Sequence, residues 1–177
     1  MQIIFSNHKG SVVSKLIMSM TKSNISHASI RFGRTESSWM VEATGKGVYP
    51  GWWNHFTKTS NVVHAFEVKG VDEEKLEKLV DECLDDMIGK SYDFRGIIGF
   101  AIAILLKYLG CKKIRNIFGS EKLYFCSEFV MRIAKKIQEK FGVIVFVGDP
   151  ELMSPYDLFT QCLNNKYLDD KSAEYAI

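Results

Sequence analysis

Ser26-His27-Ala28-Ser29-Ile30-Arg31-Phe32-Gly33 and Ser38-Trp39-Met40-Val41-Glu42-Ala43-Thr44 are the two stretches from which the fold is read. Both alternate, which predicts two strands, with Gly33-Arg34-Thr35-Glu36-Ser37 turning the chain between them. Ala28, Ile30 and Phe32 share one face of the first strand, and His27, Ser29 and Arg31 share the other. In the second strand Trp39, Val41 and Ala43 share a face, opposite Ser38, Met40 and Glu42. If both apolar faces belong to one core, the hairpin must pair Ala28 with Ala43, Ile30 with Val41 and Phe32 with Trp39. That register sets Ser29 opposite Glu42. Glu42 then becomes the diagonal neighbour of His27, within reach of a long side chain.

Outward from this hairpin the chain reads as an α+β domain, an antiparallel sheet packed against helices. Ser11 to Thr21 has helical spacing, and Asn61 to Val68 is a third strand candidate. Asp72 to Ile88 is a helix capped by Asp72, with Leu76, Leu79, Val80, Cys83, Leu84 and Met87 as its buried stripe. A further helix is expected through the apolar 97–109 run, capped by Asp93. Another begins near Cys126, carries Phe129, Val130, Ile133, Ile137 and Phe141 on one face, and ends at Gly142. Val143 to Val147 is expected to be a short strand, and Ser154-Pro155 to open a last helix through Leu163. Residues 170–177 read as a loose tail. Residues 45–51 read as a loop, with Trp52, Trp53 and Phe56 as an aromatic cluster after it. With 177 residues and no break in composition, the expectation is one domain over 1–177.

Composition narrows the function. The net charge is +2 with acids and bases mixed along the chain, so nucleic acid is not an expected partner. No secretory signal opens the chain. The longest apolar run, Ile97 to Leu106, is about half of a spanning helix. A cytoplasmic protein with reduced thiols is expected. The four cysteines, Cys83, Cys111, Cys126 and Cys162, include no Cys-x-x-Cys pair and have no histidine at zinc-motif spacing. No metal and no cofactor are therefore expected.

The chemistry-bearing residues are His27 and Cys126. A thiol at a helix N-terminus is easily ionised, and an imidazole can take its proton. Glu42 beside His27 would orient the ring and stabilise the imidazolium. Backbone N–H groups at the start of the Cys126 helix suit an oxyanion. His8, His55 and His64 carry no specific signal, and His64 lies in a strand pattern that suits a structural role.

Thr21-x5-His27-Ala28-Ser29-Ile30, Val41-Glu42-Ala43, Gly47-Val48, Ile88-Gly89-Lys90-Ser91-Tyr92-Asp93-Phe94 and Phe125-Cys126-Ser127-Glu128-Phe129-Val130 occur in this order. In that order they resemble the permuted NlpC-like cysteine hydrolases, the YiiX-like branch of the papain-like fold. The resemblance runs from about Ser14 to Phe159 and includes the reversed order, His before Cys, that circular permutation produces. It implies Cys126 as nucleophile, His27 as base and Glu42 as the third polar residue. Tyr92 lies where the resemblance puts the pocket, so Tyr92 and Ser29 are the substrate-binding candidates. The implied activity is a cysteine amidase or peptidase acting on small peptides such as cell-wall fragments. The same resemblance extends to lecithin retinol acyltransferase relatives. A lipid acyltransferase or thioesterase, touching a membrane surface through Ile97–Leu106, is the second expectation, and a non-enzymatic binding module the third. The oligomeric state stays open.

Overall fold

A computed structural model describes residues 1–44, 47–88 and 126–175. Tyr92, the expected helix over 97–109, the Ile97–Leu106 run and Cys111 lie outside the described residues. The elements are β1 (Gln2–His8), α1 (Val12–Thr21), β2 (His27–Phe32), β3 (Trp39–Thr44), β4 (Gly47–Trp52), α2 (Trp53–Thr59), β5 (Ser60–Val68) and α3 (Glu73–Met87). Then follow α4 (Cys126–Phe141), a 3-10 turn (Pro150–Leu152), α5 (Pro155–Cys162), β6 (Leu168–Asp170) and a last 3-10 turn (Ser172–Tyr175).

Six strands form one antiparallel sheet in the order β4-β3-β2-β1-β5-β6. The β2–β3 hairpin has the register its apolar residues require: Ile30 pairs with Val41 and Phe32 with Trp39. β1 enters beside β2, pairing Ile3 with Ile30 and Phe5 with Ala28. Every residue of β2 is buried, because it is an inner strand with both faces covered.

The larger core lies on one face. Phe5, Ala28, Ile30, Val41 and Phe66 meet Leu76, Val80 and Leu84 of α3, Phe129, Ile133 and Ile137 of α4 and Leu158 of α5. On the other face α2 covers a smaller cluster, Ile4, Met40 and Ala65 against Trp53 and Phe56. Local signals fix the helix ends. Asp72 accepts from Glu74 N–H at 3.0 Å, and Ser154 and Asp157 close a reciprocal capping box at the start of α5. After α4, Gly142 takes the left-handed conformation, φ +72°, that ends a helix.

Three expectations are corrected. Residues 143–147 join no strand of the sheet. Their backbone is held by side chains: Gln161 bonds Val147 at both N–H and carbonyl, and Asn165 donates to the carbonyls of Ile144 and Val145. Residues 47–52 are an edge strand rather than a loop. The C-terminal stretch is not loose through residue 175. β6 pairs with β5, and the Tyr175 hydroxyl donates to Gln2 Oε1 at 2.6 Å and accepts from buried Arg31. Arg31 also lies 3.9 Å from the centre of the Trp53 ring and donates to Ser38 Oγ and the Thr35 carbonyl. These contacts hold the final turn against the sheet.

Among the described residues no helix is long and apolar enough to cross a membrane.

Candidate active site

His27 is the first residue of β2, where the strand leaves the sheet, and is 5% exposed. Its Nε2–H donates to Glu42 Oε2 at 2.8 Å. A carboxylate only accepts, so this contact places a proton on Nε2 and leaves Nδ1 for a second partner. The ring and the Cys126 sulfur also share a hydrogen bond, and Nδ1 is the nitrogen free to make it. Cys126 opens α4, whose apolar stripe packs across β2, so helix packing carries the sulfur to the end of the strand. The backbone N–H groups of Ala28 and Ser127 also donate to the sulfur.

The three groups set one another's charge. Burial alone would raise the Cys126 thiol. The His27 cation outweighs it, helped by the hydrogen bonds from His27, Ala28 and Ser127, and holds the thiol below its ordinary value of 9.0. Burial likewise opposes the His27 cation, yet the Cys126 sulfur and then Glu42 raise the imidazole from 6.5 to about 10. Glu42 is pushed up by burial but held lower overall by His27, with smaller help from His8 and His55. Each group thus shifts its neighbour toward the charged form, the thiol downward and the imidazole upward. Cys162 shows the opposite case: a buried thiol driven upward by burial, with Asp170 adding to the shift.

His27, Cys126 and Glu42 thus come together from β2, α4 and β3. Ser29 does not serve as proposed. It is fully buried, and its hydroxyl finds no partner among the described residues, so it offers a substrate no surface. His64 is structural, stacked on Phe159 at 4.3 Å between ring centres and bonded to Ser172.

Sequence reasoning missed His8. It ends β1, the neighbour of β2, and its ring lies 4.7 Å from that of His27, centre to centre. Its Nδ1 shares a 2.8 Å hydrogen bond with Ser60 Oγ of β5. Burial, then the nearby His27 cation, lower its proton affinity, while Glu42 partly restores it. The signal available was the antiparallel pairing of β1 with β2, which sets Ser6 against His27 and brings His8 to the same end. His8, His27 and Glu42 present ligand atoms within 4.8 Å of one another and are the described group suited to a metal ion.

No family model matches the chain, and no curated protein matches it. Among solved structures it is similar to the crystal structure of the metalloprotein YiiX from Escherichia coli O157:H7. The TM-score is 0.59 and the identity 18%, covering 96% of this chain and 93% of that one. At that identity the likeness speaks for the fold alone, an antiparallel sheet with helices packed on it.

Proposed function

We propose that this chain is a cysteine hydrolase of the permuted, papain-like type, with Cys126 as nucleophile, His27 as acid–base and Glu42 as the residue that orients the ring. The observation that carries the reading is the bridging position of His27, bonded to a carboxylate through Nε2 and to a thiol at a helix N-terminus through its other nitrogen. The likeness to YiiX over nearly the full length of both chains supports the fold half of the reading.

In the reaction the Cys126 thiolate attacks a substrate carbonyl carbon. The resulting oxyanion accepts from N–H groups at the start of α4. The imidazolium of His27 gives its Nδ1 proton to the leaving amine, and a thioester to Cys126 remains. His27, now neutral, takes a proton from water as the water attacks the thioester. The acid departs and the thiolate–imidazolium pair is restored. Glu42 keeps its hydrogen bond to Nε2–H throughout and stabilises the cation each time it forms. The proposed substrates are amide bonds of small peptides.

The test is to trap the thioester. Small activated esters and peptide amides are incubated with the protein and quenched in acid, and intact mass and peptide mapping are read. The reading expects an acyl adduct on Cys126 and its absence in Cys126→Ser. Adducts confined to ester or thioester donors would move the assignment to acyl transfer. No adduct on Cys126 with any donor would refute the hydrolase.

A further inference from the structure

The geometry points to a zinc-type divalent cation site made by His8, His27 and Glu42.

The donor set is two imidazoles and one carboxylate, from β1, β2 and β3, the composition of an open zinc site with a position left for water. The ligand atoms lie within 4.8 Å of one another. Around a tetrahedral zinc with bonds of about 2.0–2.2 Å they would stand roughly 3.3–3.5 Å apart. The widest pair must close and the 2.8 Å His27–Glu42 contact must open by a fraction of an ångström. Side-chain rotation can supply both: His8 is half-buried, and the Glu42 side chain is 22% exposed. The outer partner of one ligand is already in place. Ser60 Oγ holds His8 Nδ1, so Nδ1–H can donate to Ser60 and leave the Nε2 lone pair for the ion. Ser6, which pairs with His27 across β1 and β2, is fully buried, and its hydroxyl has no partner among the described residues.

Cys126 is not a ligand in this arrangement. The ion takes His27 at Nε2, the nitrogen that faces Glu42, while the sulfur belongs to the opposite nitrogen. Binding expels the Nε2 proton to solvent and pulls Glu42 from the ring onto the metal.

The experiment is zinc titration against a chromophoric chelator at neutral pH, with cobalt absorption as a second readout. It uses the full chain, Cys126→Ser, His8→Asn and Ser60→Ala, each checked for folding by circular dichroism. The expected result is one ion per chain, retained in Cys126→Ser. His8→Asn should weaken binding by at least about 100-fold and Ser60→Ala by about 10-fold, the range over which outer partners act. The cobalt form should show visible bands without a sulfur-to-cobalt charge-transfer band. Loss of the ion in Cys126→Ser, a sulfur charge-transfer band, or equal affinity in His8→Asn would overturn the site. A bound ion on the three ligands together with an unreactive Cys126 would keep the site and remove the hydrolase, so the two failures are distinguishable.

Discussion

The two faces of the sheet differ in kind. Under α3, α4 and α5 the contacts are apolar, with Phe5, Ile30, Phe66, Phe129 and Ile133 each 2% exposed or less. Under α2 the same strands bury Gln2, Ser6, Ser29 and Arg31 beside Ile4 and Met40. The apolar face fixes where α4 lies and so where Cys126 begins. The polar face holds groups that carry charge and hydrogen bonds. His27 stands where the two meet, at the end of an inner strand, bonded to a carboxylate and to a thiol. A dry face supplies position, and a polar face supplies chemistry.

The comparison breaks most visibly on the apolar side. Phe129→Ala removes a fully buried ring from α4 and is expected to cost about 3–5 kcal/mol in urea unfolding. A loss below about 1 kcal/mol would mean that α4 is not anchored there. On the polar side, Tyr175→Phe removes the hydroxyl that links Arg31 to Gln2 and should cost about 1–3 kcal/mol, because two buried polar groups lose a partner. An unchanged stability would return the C-terminal stretch to a loose tail.

Glu42→Gln sharpens the comparison by removing a charge and little volume. Glu42 is held below its ordinary value, so its contribution is complete above the unfolded value of 4.5. That contribution is lost as pH falls through the lower folded value. The wild type should therefore lose stability on acidification below pH 4.5 more steeply than Glu42→Gln does, read by urea midpoints across that range. Parallel curves would mean that the carboxylate gains nothing from His27 in the folded state.

The hairpin was legible because its apolar residues admit one register, and that register delivered Glu42 to His27. The helices α3 and α4 were legible because a single apolar stripe and an end signal agree in each. β1 was not recognised as a strand, because Ser6-Asn7-His8 breaks the apolar run. These three residues nevertheless pair with Val62, Asn61 and Ser60 of β5, Ser6 buried and Asn7 and His8 half-buried. β4 hid behind Pro50 and Gly51, turn residues that an edge strand tolerates. Val143 to Val147 has strand composition, but Gln161 and Asn165 satisfy its backbone in place of a neighbouring strand. The proximity of the His8, His27 and Glu42 ligand atoms, within 4.8 Å of one another, was not legible from sequence spacing. His8, His27 and Glu42 lie on three strands, where spacing along the chain carries no information about proximity.

The central claim is that His27 holds Cys126 as a thiolate. Its most direct test is the rate of Cys126 alkylation by iodoacetamide against pH, resolved by peptide mapping, in wild type and in His27→Ala. A thiol lowered from its ordinary 9.0 is more ionised near neutrality than an unperturbed one, so the wild type should label faster there than an ordinary thiol. Its rate should rise with pH at a midpoint below 9.0, and His27→Ala should move that midpoint upward and slow labelling at pH 7. A wild-type midpoint at or above 9.0, indifferent to His27, would contradict the pair and the hydrolase built on it.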